Sequence, residues 1–302
     1  MIEVDALNAK RGLETPIESI VYANQAMPIH VINLKEKDML EIPKIEVDRC
    51  VGCSQCVDVC VAHTLLLNPK TKKVELVDEG RSCMSCGHCT AVCPTSALSL
   101  YGLDIDVERE QFESASPLES LLVRDRSTRS YRSDPLDKKT LMEVINVTRF
   151  SPSAMNQRPL HFTVIGRKTM EPISKIAAKA FAGHPRYGGI SASIEKGNDV
   201  LFRGAPHIII ISADSDIQYA APDATIAGRD IDLYATERGL GTFWCGLLHN
   251  LCTMVPEVFA LCKLPEKHVV HACIGLGTPK IKFSRPPARR MLEEGRDITF
   301  NE

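Results

Sequence analysis

Two runs of closely spaced cysteines constrain this chain more than any other feature of its sequence. Both have the spacing C-x2-C-x2-C-x3-C, and together they hold eight of the twelve cysteines in the 302-residue chain. The first run begins at Cys50 and the second at Cys83, and each follows a stretch of alternating apolar and polar residues, over 44–50 and 72–83. A strand followed by a cysteine run is therefore predicted twice, which indicates an internal duplication.

The spacing within each run favours an iron–sulfur cluster over a zinc site. A structural zinc ion takes four ligands, commonly from two C-x2-C pairs. Three cysteines spaced by two, with a fourth three residues later, form the bacterial ferredoxin pattern for a [4Fe–4S] cluster. The charged N-terminal stretch lacks the apolar segment of a secretory signal, so we expect a cytoplasmic protein, in which metal ligation is more common than disulfides. Zinc ribbons or a buried core of cysteines are the alternative interpretation.

The two runs are predicted to exchange one ligand. In two-cluster ferredoxins the fourth cysteine of each run binds the other cluster. This rule assigns to cluster one Cys50, Cys53, Cys56 and Cys93, and to cluster two Cys83, Cys86, Cys89 and Cys60. Pro94 follows Cys93 as the pattern expects, whereas Val61 follows Cys60. Residues 45–103 are therefore predicted to form a small ferredoxin-like domain with two [4Fe–4S] clusters.

The remaining sequence predicts a larger domain of helices and strands. Residues 1–44 are an extension of unclear role, 104–117 a polar linker, and 118–302 a domain of the α+β or α/β class. With 44% hydrophobic residues the core can be sizeable, and a net charge of −2 gives no indication of nucleic-acid or membrane-surface binding. Because no uninterrupted apolar run approaches 18 residues, we expect no membrane span.

Two segments of the larger domain have a clear pattern. The continuous apolar run at 205–212 predicts a strand that is buried on both faces. The stretch 222–241 predicts a long helix, with Asp223 as its N-cap and Gly239 or Gly241 as its C-cap.

Three stretches of the larger domain suit a phosphate-containing cofactor. "RDRSTRSY" at 124–131 brings guanidinium groups and a hydroxyl together, as a phosphate requires. "SPSAMNQRP" at 151–159 offers hydroxyls and an amide, and "ERGLGTFWCG" at 237–246 ends a helix in a glycine-rich turn. That turn lacks the third glycine of a dinucleotide fingerprint and follows a helix instead of a strand, which excludes a Rossmann site.

In this order the three stretches resemble the motifs of the nitroreductase family of flavoproteins. The resemblance covers about 118–290, and its matching residues are Arg126, Ser127, Arg129 and Tyr131; Pro152, Ser153, Asn156 and Pro159; Gly239, Leu240, Gly241 and Gly246; and Arg285 before two prolines. Asp125 and Arg158 depart from the pattern, because they stand where the family usually has arginine and glutamine.

The resemblance implies an α+β domain that binds FMN between the subunits of a homodimer. The FMN ligands that it implies are Arg126, Ser127, Arg129 and Arg285 for the phosphate, Ser153 and Asn156 from the other subunit, and the backbone of Cys245 and Gly246 beside the flavin ring.

The order of the domains predicts a direction of electron flow. We expect an iron–sulfur flavoprotein oxidoreductase in which the clusters reduce FMN, and FMN reduces a small organic acceptor of the nitro, quinone or conjugated alkene type. Its donor would be a redox protein or NAD(P)H. The first alternative is an electron-transfer subunit of a larger complex without its own small substrate. The second is a binding protein that has lost FMN, which only the departures at Asp125 and Arg158 support.

Overall fold

The computed structural model describes most of the chain after the first forty residues, namely 41–102, 116–185, 187–287, 289 and 292–301. These residues belong to one unit, which spans Asp38–Glu302. The predicted extension over 1–44 and the predicted linker over 104–117 lie almost entirely outside the described residues, so both boundaries stay predictions.

The cysteine-rich part consists of two short antiparallel sheets and two short helices. Its elements are β1 (Lys44–Ile45), α1 (Gln55–Asp58), β2 (Leu65–Leu67), β3 (Val74–Leu76), a 3-10 turn (Asp78–Gly80), α2 (His88–Val92) and β4 (Leu98–Ser99). Strand β1 pairs with β4, and β2 pairs with β3. Each helix begins inside a cysteine run, directly after a residue with left-handed φ, Ser54 at 59° and Gly87 at 72°. This repeated geometry agrees with the predicted duplication.

The larger part has a four-stranded sheet with helices on both faces. Its elements are α3 (Pro117–Arg124), α4 (Lys138–Asn146), 3-10 turns (Val147–Phe150 and Ala154–Asn156), β5 (His161–Gly166), α5 (Arg167–Phe181), α6 (Gly188–Glu195), β6 (His207–Asp214), α7 (Ala220–Glu237), β7 (Gly241–Trp244), α8 (Gly246–Met254), α9 (Pro256–Leu261) and β8 (His268–Gly277). The strand order is β5-β6-β8-β7, and every neighbouring pair is antiparallel. An antiparallel sheet with helices confirms the α+β class and decides against α/β.

The position of strand β6 between two hydrophobic cores explains its continuous apolar sequence. Ile208 and Ile210 point into the hydrophobic core on one face of the sheet, and Ile209 and Ile211 point into the core on the other. Successive side chains of a strand alternate between faces, so a strand covered by helices on both sides needs apolar residues at every position. The prediction of a strand buried on both faces is confirmed.

Helix α7 begins earlier than the sequence predicts. Its N-cap is Tyr219, so Asp223 lies within the first turns, where its carboxylate accepts a hydrogen bond from the N–H of Ala154 at 3.0 Å. The prediction of Asp223 as N-cap is therefore wrong, because this carboxylate satisfies a loop instead of the helix end. The C-cap is Arg238, one residue before the predicted Gly239. Gly239 follows it at φ 71°, and its N–H donates to the carbonyl of Thr236, so the helix ends at the predicted glycine turn.

The chain beyond β8 returns to the cysteine-rich part. The side chains of Ile281 and Phe283 pack against the hydrophobic core that contains Leu65 and Leu98. The N–H of Ser284 also donates to the carbonyl of Ala91, within α2, at 3.1 Å. The last segment of the larger part thus holds the cysteine-rich part in place. No helix among the described residues is long and apolar enough to span a membrane.

Candidate functional site

The first three cysteines of run one lie beside the last cysteine of run two. Burial, followed by the neighbouring thiols of Cys93, Cys53 and Cys50, raises the pKa of the Cys56 thiol to about 12. These four residues are the set that the crossed rule assigns to cluster one. Clusters bind thiolates, so assembly of a cluster has to remove the protons that burial retains on the free thiols.

The complementary set surrounds Cys60. A cavity between the two runs is lined by Cys60 together with Cys83, Cys86 and Cys89. Burial raises the pKa of the Cys83 thiol, and the thiols of Cys86 and Cys60 raise it further. The structure therefore places Cys60 beside the first three cysteines of the second run.

Backbone N–H groups point at two of the predicted ligand sulfurs, as they do in iron–sulfur sites. The N–H of Ala97 donates to Cys93 Sγ at 3.2 Å, and the N–H of Ser85 donates to Cys83 Sγ at 3.3 Å. Such bonds stabilise the negative charge of a cluster and help to set its reduction potential. In the described part of the chain, no three His, Cys, Asp or Glu side chains converge as they would on a single metal ion. The donor set fits two cubane clusters, each of which takes its four thiolates at separate iron atoms.

The predicted phosphate ligands of the RDRSTRSY stretch share one cavity. Arg126, Ser127 and Arg129 line a space of ≈ 530 Å³, together with Arg229 and Arg289. Burial, with a smaller contribution from Arg289, lowers the pKa of Arg126 to about 10. Burial likewise lowers the pKa of Arg129. Crowded, partly desolvated guanidinium groups are costly unless an anion neutralises them, so this donor set fits a phosphate.

Asp125, the first departure from the family motif, lines the same cavity, and its carboxylate is held in an ion pair. Its carboxylate accepts hydrogen bonds from the guanidinium of Arg229 and, at 3.0 Å, from the hydroxyl of Thr236. Only 11% of the Asp125 side chain is exposed. The carboxylate is therefore neutralised within the fold by Arg229 of helix α7.

Restoring the usual arginine at position 125 should be harmful. We expect Asp125→Arg to lower the free energy of unfolding by roughly 1–2 kcal/mol, because Arg229 and Thr236 lose their acceptor and two cations come together. Denaturant unfolding measures the loss. The control is Asp134→Arg, the same charge change at an exposed loop position; equal stability of the two variants would contradict a structural role for Asp125.

The indole of Trp244 forms a flat wall of the same cavity. Its Nε1–H donates to Asp232 Oδ2 at 2.6 Å, and burial raises the pKa of that carboxyl. The ring lies against α7 at Gly228, where an added Cβ would be 2.7 Å from its Cη2 atom. Gly228 is thus needed for close packing of the ring, whose position defines one side of the cavity.

A methyl group at position 228 should displace this ring. We expect Gly228→Ala to cost about 1–3 kcal/mol through overpacking, which outweighs the gain of about 1 kcal/mol from replacing glycine in a helix. Trp244 is the only tryptophan, so its emission reports both the displacement and unfolding. Gly189→Ala, in helix α6 with nothing within 4 Å of the new Cβ, is the control; identical behaviour of the two variants would show that the ring is not tightly held.

Of the two residues predicted beside the flavin ring, Gly246 has space next to it. It is the first residue of helix α8, and an added Cβ would meet no atom within 4 Å. The N–H of Cys245 instead donates to the carbonyl of Cys273 at 2.7 Å, and its thiol donates to the carbonyl of Leu201 at 3.3 Å. The backbone N–H of Cys245 is therefore engaged within the sheet.

Three predicted FMN ligands lie away from the Arg126 cavity. The guanidinium of Arg285 donates to the carbonyl of Cys93 and to the hydroxyl of Ser96. Ser153 lines a separate cavity, and Asn156 is exposed. Contacts of Ser153 and Asn156 with FMN in another subunit stay a prediction, whereas the guanidinium of Arg285 contacts the loop of the predicted cluster ligand Cys93.

Sequence reasoning missed, among other residues of the cavity, a charged pair on helix α7. Arg229 and Asp232 lie three apart on helix α7 and so share a face. The available signal was the pair of opposite charges at this spacing in the predicted helix. The sequence could not show what this face of α7 contacts. In the structure it contacts the loop at Asp125 and the end of β7 at Trp244.

Comparison with known proteins identifies both parts of the chain. Residues 123–278 match the model of the nitroreductase family, and residues 28–97 match that of the 4Fe-4S dicluster domain. These matches confirm the predicted order of the two modules. At the level of the family they also confirm the predicted cofactors, with the dicluster match indicating two [4Fe–4S] clusters.

Individual relatives agree with the family matches. A Methanothermobacter thermautotrophicus protein, provisionally named NADH dehydrogenase/NAD(P)H nitroreductase, is 29% identical over 167 residues, which are 54% of this chain and 76% of the relative. Nitroreductases with bound FMN from Bacteroides fragilis and Desulfitobacterium hafniense have TM-scores of 0.51 and 0.52 at 23% and 21% identity; each covers 62% of this chain and 100% of its own. The solved structures establish the likeness of the fold.

Proposed function

This chain belongs to the nitroreductase family and is an iron–sulfur oxidoreductase, and we propose that it is an FMN-dependent reductase supplied by its own two clusters. One observation carries the proposal. Cys86 and Met84, from the loop of cluster two, line the same cavity as Arg126, Ser127 and Arg129. A cofactor whose phosphate lies on the guanidinium groups would therefore be next to a cluster ligand.

The residues of the cavity suit the parts of FMN. Arg126, Ser127 and Arg129 would hold the phosphate through charge-assisted hydrogen bonds. Trp244 and the backbone at Gly246 would border the flavin ring. When bound, FMN supplies hydride or one-electron chemistry, while the protein supplies orientation and charge.

A homodimer would complete this site with Ser153 and Asn156 of a second subunit. Two large apolar side chains beside them are exposed, Phe150 by 72% and Met155 by 76%. Exposed apolar surface of this kind suits a subunit contact. The exposed amide of Asn156 would then reach the cofactor of the neighbouring subunit.

The proposed acceptor is a nitro, quinone or conjugated alkene compound that stacks on the cofactor. The donor is a redox protein or NAD(P)H; the name of the Methanothermobacter thermautotrophicus relative includes NAD(P)H. We expect the reaction to take place in the cytoplasm, because a reducing compartment keeps the ligand thiols available for cluster assembly.

Anaerobic spectroscopy tests this function. The purified protein should show flavin as well as cluster absorption, and release FMN when denatured. After reduction with dithionite, nitroaromatics, quinones and enones should be added in turn, and at least one should reoxidise the flavin. Absence of flavin would refute the FMN assignment.

The donor is tested with reduced ferredoxin and NADH in separate reactions. A Cys86→Ser variant is the comparison, because it should lose cluster two. If electrons reach FMN through that cluster, ferredoxin should reduce the flavin of the unmodified protein much faster than that of the variant. Equal rates would contradict the proposed route.

A relay within a larger complex is the second candidate. Relatives of the cysteine-rich part include a thiosulfate reductase electron transfer subunit of Salmonella typhi, 35% identical over 75 residues, which are 22% of this chain and 38% of the relative. In this case the reduced flavin would resist every small acceptor and react only with a partner protein. The acceptor screen therefore separates the two candidates.

A further inference from the structure

Two arginines beyond the last strand reach the loops that carry the cluster ligands. They belong to the segment 281–287 with Arg289, which we name the C-terminal strap. The guanidinium of Arg285 donates to the carbonyl of Cys93, a cluster-one ligand. Nη1 of Arg289 donates to the carbonyl of Cys86, a cluster-two ligand, at 2.6 Å. For each cluster, one guanidinium group of the strap thus donates a hydrogen bond to the backbone carbonyl of a ligand residue.

The strap is fixed between the two parts of the protein. The ring of Phe283 lies 5.6 Å from that of His88, in the helix of run two, and the guanidinium of Arg126 lies 4.3 Å from its centroid. Nη1 of Arg126 also donates to the carbonyl of Arg285 at 3.0 Å. Because these contacts hold the strap, the positions of its arginines are defined by packing as well as by hydrogen bonds.

The two arginines differ in their exposure to water. Only 8% of Arg285 is accessible, and its guanidinium also donates to the hydroxyl of Ser96. Arg289 is exposed and lines the cavity that contains Arg126. Since solvent screens an exposed charge more strongly than a buried one, the charge of Arg285 should act more strongly on its cluster.

We propose that Arg285 and Arg289 are positioning residues that raise the reduction potential of cluster one and cluster two, respectively. Reduction adds an electron to a cluster, and a nearby cation stabilises the added negative charge. Potentials of iron–sulfur clusters depend on charge, hydrogen bonding and solvent exposure. The planar fork of arginine can in addition fix a ligand loop through two donors. This proposal concerns the clusters, and it goes beyond the proposed reaction because it requires neither FMN nor an acceptor.

Redox titration followed by EPR spectroscopy tests the proposal. Arg285→Gln should lower the midpoint potential of cluster one, and Arg289→Gln should lower that of cluster two by a smaller amount. The signals are assigned from Cys53→Ser and Cys86→Ser, which should each lack one cluster. Arg296→Gln is the matched control, because its guanidinium pairs with Glu293 and Asp297 in its own turn.

Lysine variants separate the effect of charge from that of folding. Arg285→Lys keeps the cation but loses the fork, so its potential should lie between those of the unmodified protein and Arg285→Gln. If Arg285→Gln loses iron, the lysine variant still gives a potential to compare. The proposal is overturned if neither glutamine variant shifts a potential more than Arg296→Gln does, if both shift the same cluster, or if lysine behaves like glutamine. Flavin content is measured in parallel. A protein without FMN would refute the proposed function, but the effect of the arginines on the cluster potentials could still be measured.

Discussion

Replacing Cys60 by serine should remove cluster two and leave cluster one in place, although Cys60 belongs to the first cysteine run. Cys60 lines a cavity with Cys83, Cys86 and Cys89, and its sulfur accepts a hydrogen bond from the N–H of Thr64 at 3.4 Å. A hydroxyl is a harder and weaker ligand for this site than a thiolate. We therefore expect the variant to retain about half of the iron, because one of two Cys₄ sites is incomplete.

The spectrum of the remaining cluster is the decisive measurement. After reduction, Cys60→Ser should have the EPR spectrum of Cys86→Ser and differ from Cys53→Ser. Cys262→Ser, which removes a buried thiol of the larger domain, should keep all of its iron. If serine partly retains the cluster, Cys60→Ala removes the ligand completely. A Cys60→Ser spectrum like that of Cys53→Ser would refute the crossed assignment.

Cysteine spacing predicted the two-cluster module, which the family match over residues 28–97 confirms, because the spacing is a local feature of the chain. In each run, the first three cysteines lie within a segment of seven residues. The antiparallel pairing of β1 with β4 then brings the two ends of the module together. Local geometry also explains the success at Gly239, where a left-handed φ ends α7. Sequence patterns of this kind reflect structural requirements among residues that are close together in the chain.

Sequence patterns say least about side chains whose partners lie far away in sequence. Aspartate is a common N-cap residue, yet the carboxylate of Asp223 accepts its hydrogen bond from the N–H of Ala154, 69 positions earlier. Arg285 stands at the position of a phosphate ligand, and its guanidinium contacts Cys93 instead. Neither partner can be inferred from local propensity, because tertiary packing of the strap and the loop decides which acceptor each group meets.

Arg129→Gln should weaken FMN binding by about ten- to a hundredfold. A hydrogen bond to a charged group contributes about 1.5–3 kcal/mol, which corresponds to this range of affinity. Arg129 is partly buried in the wall of the cavity, where burial and the neighbouring charge of Arg203 lower its pKa. Such a group gains more from an anion than an exposed arginine does.

Comparing FMN with riboflavin isolates the phosphate in this experiment. The flavin-depleted protein is titrated with either ligand, and binding is followed by the quenching of flavin fluorescence. Arg129→Gln should weaken the binding of FMN strongly and that of riboflavin little, since riboflavin lacks the phosphate. Arg132→Gln, an exposed arginine three residues along the same loop, should change neither affinity. Equal losses for both ligands would mean that Arg129 supports the fold of the cavity and does not bind the phosphate.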